Sequence, residues 1–306
     1  MNPSHGSKEG VVGVDLGGTH LRVAVVSPEG EVSGRQLVGT PREAPHPDLL
    51  VELLRETAAK AGCQRAVVGI PGPVDYRHGR LRWGPNLPEG WQAALAEKSL
   101  SEASGLEVSV ANDADLAAVG EAYFGAGRGA DGIAYLTVST GVGAGVVLGG
   151  RLVHGRWSLA EVGHTVIDRI AFREGRPSTF ELLASGTAMA RLAAERGLAV
   201  DGAQLRRLAE QERTAAQIWD EVLFAACIGL RNLVVVFAPS RVVVGGGVGL
   251  SEGFVDELAG RLPDLLPPGY RDEPPEVLAA ELGDDAGLSG AGAWQRAFNP
   301  AMAGRR

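Results

Sequence analysis

The sequence predicts an α/β fold of two lobes, each opening on a β-hairpin with a glycine-rich loop. Three observations carry this expectation. Short β-branched apolar runs alternate with longer stretches of helical periodicity. The order strand, glycine loop, strand, turn, strand occurs at residues 11–38 and again at 132–154, which reads as an internal duplication. The length, 306 residues, exceeds the roughly 250 at which a single core tends to split.

The elements follow in order. Residues 11–15, 21–27 and 31–38 are apolar or alternating runs separated by turn residues and predict three strands. A helix is expected over 49–61, a buried strand over 65–70, and a long loop around Pro71, Pro73, Pro85 and Pro88. Next come a helix over 91–104 and a strand over 107–111, which runs into Asn112-Asp113-Ala114-Asp115 and a helix to about Phe124. In the second half, strands are expected over 132–138, 144–148 and 151–154, with a tight loop at 139–143. The helices 178–196, 214–236, 252–262 and 285–298 complete the pattern with a buried strand at 241–244. The expected division is 1–112 for the first lobe, completed by a C-terminal helix within 285–306, and 113–284 for the second.

Composition excludes several classes of function. With 45% hydrophobic and 22% charged residues, the chain is an ordinary globular one. A net charge of −8 argues against a nucleic-acid surface, which needs a basic patch. The two cysteines, Cys63 and Cys227, form neither a disulfide framework nor a paired-cysteine metal site. The apolar stretch 222–238 is interrupted by Arg231 and Asn232, so no membrane span is expected. The first ten residues are polar and lack a signal-peptide pattern, and a cytoplasmic location is expected.

Three glycine loops suggest backbone held close to phosphate. In Asp15-Leu16-Gly17-Gly18-Thr19, a carboxylate at a strand end can hold hydrated Mg²⁺ while glycine N–H groups face phosphate oxygens. A simple hairpin turn with an Asp cap accounts for this loop equally well. Ser139-Thr140-Gly141-Val142-Gly143 adds hydroxyls and glycines, and it is no dinucleotide fingerprint because a strand follows rather than a helix. The run 242–249 is a buried strand emptying into Gly245, Gly246, Gly247 and Gly249 before a helix, where an open α/β sheet binds nucleotide; a tight strand-to-helix turn reads the same way.

Asp113 stands where a strand meets a helix. It is the best-placed candidate for the one base that phosphoryl transfer needs, although a helix N-cap has the same signature. Glu161-Val162-Gly163-His164 and Glu181 supply carboxylates and an imidazole suited to sugar hydroxyls; His164 alone is also compatible with a structural role.

Taken together, these segments resemble the ROK family (repressors, open reading frames and sugar kinases) of the hexokinase/actin-like superfamily, from about Val11 to Trp294. Residues 14–19 and 137–145 look like its two phosphate motifs, and 69–75 (Gly-Ile-Pro-Gly-Pro-Val-Asp) its GxPGPxD segment. Pro85-Asn86-Leu87 with Trp91 is similar to its sugar-contacting loop, 112–121 to its NDxNxxxxGE run, 161–164 to ExGH, and 245–249 to the adenosine motif. The resemblance implies a two-lobed actin-like ATPase (ribonuclease H-like) fold and an ATP-dependent hexokinase acting on the 6-hydroxyl of a hexose, glucose foremost. N-acetylhexosamines or other hexoses are the alternative substrates, and polyphosphate is an alternative donor.

By the same resemblance Asp113 is the catalytic base. Gly72, Asn86, Asn112, Glu161, His164 and Glu181 bind the sugar. Asp15, Gly17, Gly18, Thr19, Thr140, Gly141, Gly143, Gly246 and Gly247 bind Mg-ATP, with Asp15 on the metal through water. A homodimer is implied as well. The sequence departs from the family at Asp115, where Asn is usual, and within 172–181. Phe172, Glu174 and Thr179 stand there in place of three zinc-binding cysteines, so no structural zinc is expected. The loop is then expected to be held by packing alone or to be more mobile. A sugar-sensing ROK regulator is the rival reading, but the residues before Val11 are too few for a helix-turn-helix.

Overall fold

The computed structural model describes residues 10–41, 43, 46–84, 87–88, 90–159, 161–200 and 202–298. Strands β1 (Val11–Leu16), β2 (His20–Val26) and β3 (Val32–Gly39) form an antiparallel meander that sets Asp15 directly opposite Arg22. Helix α1 (Asp48–Ala61) ends at Gly62 in the left-handed conformation, φ 73°, which lets the chain turn back into β4 (Arg65–Ile70), parallel to β1. A short hairpin, β5 (Val74–Asp75) and β6 (Arg80–Leu81), leads through α2 (Trp91–Ala94) and α3 (Glu97–Ser104) to β7 (Glu107–Asn112), parallel to β4. The first sheet therefore has the order β3-β2-β1-β4-β7.

Helix α4 (Asp113–Phe124) crosses to the second half, where β8 (Gly132–Val138), β9 (Val142–Leu148) and β10 (Arg151–Leu152) repeat the meander. Helices α5 (Arg169–Arg173), α6 (Phe180–Ala184), α7 (Gly186–Glu195), α8 (Gly202–Leu208) and α9 (Arg213–Phe237) precede β11 (Arg241–Gly245), parallel to β8. After α10 (Phe254–Leu265) and α11 (Pro268–Arg271), β12 (Glu276–Ala279) joins the far edge, and α12 (Ala286–Ala297) closes the described chain. The second sheet reads β10-β9-β8-β11-β12, the same meander followed by two parallel strands. Among the described residues no helix is long and apolar enough to cross a membrane.

Two helices expected as single are each broken by a tertiary hydrogen bond. Over 91–104 the break falls at Leu95-Ala96, where the Leu95 carbonyl accepts from Leu81 N and Ala96 bridges Arg80. Over 178–196 it falls at Ser185-Gly186, where Gly186 N donates to Ser139 O at 2.7 Å and Ser185 Oγ, accepting from Ala188 N at 3.1 Å, starts α7. Strand β12 was not expected, since an edge strand of four half-exposed residues carries little apolar signal.

The first hydrophobic cluster joins sheet residues such as Val12, Val14 and Val68 to Leu288 and Trp294 of α12, and a second lies under α9 and α10. Helix α4 is buried on nearly every side, packing against α12, β8 and β9. Its Gly120 and the facing Gly290 of α12 let the two backbones touch. A Cβ on either would press into the carbonyl of Ala286 or of Leu116. Glu121, fully buried, accepts from the amides of Ala126 and Leu282 at 2.9 Å and of Glu281 at 3.3 Å. These bonds satisfy its charge and tie α4 to the approach to α12.

Candidate active site

The first hairpin loop closes with Gly17 N donating to His20 O at 2.8 Å and is braced by Thr40, whose Oγ1 donates to Gly17 O at 2.7 Å. Asp15 ends β1 with its carboxylate against Arg22, Nη1–Oδ2 2.8 Å. Burial raises the Asp15 pKa, Arg22 opposes the rise, and Asp284 adds to it.

The second hairpin loop is braced from three directions. Gly186 N donates to Ser139 O at 2.7 Å, Thr187 Oγ1 to Thr140 O at 2.7 Å, and Val142 N to Glu181 Oε2 at 2.9 Å. The loop after β11 hangs from the same hairpin, since Val248 N and Gly249 N both donate to Val138 O, at 3.0 and 2.9 Å. Gly246 takes φ +84°, with no room for a Cβ beside that carbonyl.

Asp113 lies between these loops at the start of α4. Asn112 is the helix cap: its Oδ1 accepts from Ala114 N at 2.9 Å and Asp115 N at 3.1 Å, and its Nδ2 donates to Gly72 O at 3.0 Å. Asp113 is therefore not needed to cap the helix, although its Oδ1 also lies 2.8 Å from Ala114 N. Burial, and then repulsion from Asp15, push the Asp113 carboxyl up to about 7, against the Ala114 amide that holds it down. Tyr76 ties this turn to the Gly72–Asp75 segment: its hydroxyl donates to Asp115 Oδ2 at 2.7 Å and accepts from Asn112 N at 3.2 Å. Asp115, at the position where Asn was expected, is fully buried and also pushed up to about 7, chiefly by burial.

Two cavities meet at Asp113. One, about 460 Å³, is lined by Asp15, Gly17, Gly72, Asp113, Thr140, Gly141, Gly143, Glu161, His164 and Glu181 among others. The other, about 360 Å³, shares Asp15 and Asp113 and adds Gly246, Gly247 and Asp284. Gly18, Thr19 and Asn112 line neither cavity, and Asn86 lies outside the described residues. In the first cavity Glu161 and His164 approach at 3.4 Å, with the His164 ring 6.2 Å from that of Trp83. Burial raises the Glu161 pKa, with His164 opposing and Glu181 adding to it.

Thr137 and Ser139 of the second phosphate motif line the site as well, and so do Arg22 and Trp83, which were not anticipated. For Arg22 a signal existed, because pairing Leu16 with Leu21 across the turn forces Asp15 opposite Arg22. Nothing in the local pattern around Trp83 marks it.

The loop that lacks the cysteines is tied by hydrogen bonds, not by packing alone. Asp168 Oδ1 caps α5 through Ile170 N and Ala171 N, both 2.9 Å. Ile167 N and Asp168 N donate to Ser178 O at 2.9 and 3.1 Å. Glu174 pairs with Arg176 at 2.6 Å, and Thr179 caps α6.

The chain matches the ROK family model over residues 11–297. It is 31% identical to a glucokinase of Thermotoga maritima, over 92% of this chain and 95% of the relative. Among solved structures, a ROK hexokinase from Thermus thermophilus superposes with a TM-score of 0.80 at 34% identity, covering 94% of this chain and 98% of that one. A ROK glucokinase from Streptomyces griseus, solved with glucose and AMPPNP, gives 0.77 at 30% identity over 93% and 98%. With its two meander-headed sheets and the cleft between them, the chain belongs to the ROK family and has the actin-like ATPase fold of that family's sugar kinases.

Proposed function

We propose that the chain is an ATP-dependent hexokinase that moves the γ-phosphoryl group to the 6-hydroxyl of a hexose, glucose foremost, with Asp113 as the base. The observation that carries this is the position of Asp113. It is relieved of capping by Asn112, it stands where both cavities meet, and its raised pKa suits it to accept a proton near neutral pH. The glucokinase and hexokinase relatives, one of them solved with glucose and an ATP analogue, support the same assignment.

In this reading the sugar lies in the larger cavity against Gly72, Glu161, His164 and Glu181. The nucleotide extends from the two hairpin loops toward Gly246 and Gly247. Asp113 takes the proton of the sugar hydroxyl as the oxygen attacks the γ-phosphorus and the bond to ADP breaks. Asn112 and Tyr76 hold the Asp113 turn in place, and closure of the lobes excludes water that would otherwise accept the phosphoryl group.

Mg²⁺ fits this donor set. Asp284 adds to the cost of ionising Asp15, and Asp15 to that of Asp113, costs that a divalent cation relieves, and no group of three ligating side chains exists among the described residues. That suits an ion held by one carboxylate, water and phosphate oxygens. Asp15 would hold it through water; when bound it neutralises charge on the transferring phosphoryl group.

A cytoplasmic homodimer completes the reading. The exposed Val166, Ile170 and Phe224 line an apolar groove of about 620 Å³ suited to a subunit contact.

The test is a coupled ADP-release assay over a panel of hexoses and N-acetylhexosamines, with ATP and polyphosphate as donors. Asp113→Asn is expected to lower kcat by about a thousandfold while glucose binding stays within a few-fold. Normal turnover by that variant, or no hexose accepted by the wild type, sinks the assignment.

A further inference from the structure

Glu181 touches both halves of the site. It lines the larger cavity beside Glu161 and His164, yet its Oε2 accepts from Val142 N, inside the second hairpin loop, at 2.9 Å. Its other oxygen has no hydrogen-bond partner among the described residues. The turn Glu161–His164 is wedged against the same place. Gly163 has no room for a Cβ beside the Val142 carbonyl, and such a Cβ would lie 3.2 Å from Glu181 Cβ. The turn, the carboxylate and the loop thus form one packed junction.

We infer that Glu181 is a positioning residue that couples the two substrates: a sugar hydroxyl on its free oxygen fixes the carboxylate, and through Oε2 fixes the Val142 amide and the phosphate loop. This rests on the hexokinase reading given above. The loop is ordered for phosphate when the acceptor is present, so nucleotide binds more tightly to the sugar-loaded protein. By linkage, sugar binds more tightly to the nucleotide-loaded protein by the same factor.

Calorimetric titration of Mg-AMPPNP into the full chain, with and without saturating glucose, tests this. Wild type is expected to bind the analogue at least fivefold more tightly with glucose. In Glu181→Gln, with glucose raised to saturation, the ratio falls below twofold. Thr187→Val removes another bond to the same loop, Oγ1 to Thr140 O at 2.7 Å, from a side chain that does not line the sugar cavity. It should weaken the analogue equally in both states and keep the full ratio. A full ratio in Glu181→Gln, a ratio lost in Thr187→Val, or a wild-type ratio near one in a protein that still phosphorylates glucose overturns the coupling alone. A wild type that neither binds nor phosphorylates any hexose overturns the hexokinase reading, and the coupling falls with it.

Discussion

The two glycine hairpins share a backbone plan and differ in chemistry. In each, the last strand residues pair directly across the loop, Leu16 with Leu21 and Val138 with Val142. One residue further in, the first hairpin sets Asp15 opposite Arg22, whereas the second sets Thr137 opposite Gly143. The first therefore carries a full ion pair into the cleft, and the second offers hydroxyls and amides. In the proposed function, this duplicated framework divides the task of holding a polyanion: one copy supplies charges, the other dipoles.

Removing the charge from the first copy is expected to do the most damage. Asp15→Asn keeps the side-chain shape but releases Arg22 and, in the role proposed for Asp15, weakens the hold on hydrated Mg²⁺. A fall in kcat of about a hundredfold or more is expected, with a raised Mg²⁺ requirement, read from initial rates against Mg²⁺ concentration. Near wild-type rates at low Mg²⁺ would show that the division of labour is not real.

The influence of the first hairpin on Asp113 also sets a pH dependence. The charge of Asp15 adds to burial in raising the Asp113 carboxyl to about 7, and in the role proposed for it Asp113 works only when ionised. In the free protein, kcat/KM for glucose should thus fall as pH drops through 7, by about tenfold per unit. Asp15→Asn removes part of the repulsion and should move that limb to lower pH. Stability runs the other way. A carboxyl raised above its unfolded value of 3.8 favours the folded state fully below that value, and the advantage is lost as pH rises through about 7. Asp113→Asn should then be more stable than wild type at pH 8, by about 1–2 kcal/mol after screening, measured by urea denaturation.

The smallest effect is expected in the second copy. A methyl on Gly141 meets Glu181 Oε2, the movable end of a side chain, at 2.5 Å. Gly141→Ala should raise the KM for ATP by a few-fold and leave kcat within about twofold, in a steady-state assay with varied ATP. A loss as large as that of Asp15→Asn would mean the second loop carries more than dipoles.

Much of this site was legible in the sequence because its residues are contiguous at strand ends. Asp15 to Thr19, Asn112-Asp113, Ser139 to Gly143 and Glu161 to His164 each need only one strand or turn to bring them to the cleft. What was not legible depends on register or on tertiary hydrogen bonds. Arg22 enters through hairpin pairing, and Asn112 takes the cap that Asp113 equally well fits by type. The bond from Val142 to Glu181 joins residues 39 apart. The broken helices belong to the same class, since Leu95 and Ser185 stop helices that local propensity would continue. The duplicated fold, in contrast, was written twice in the glycine pattern.

The position of α12 has a consequence for how the protein is made. Leu288 and Trp294 belong to the same hydrophobic cluster as Val12, Val14 and Val68, so the first sheet completes its core with the last described helix. During synthesis on the ribosome, that sheet emerges first and waits with an apolar face uncovered while the residues from Asp113 to Asp285 are added. The second core has no such debt, since the residues of its cluster all lie between 136 and 277. The half that is translated first is therefore the half that finishes folding last, and it is where chaperone dependence and aggregation during expression should concentrate.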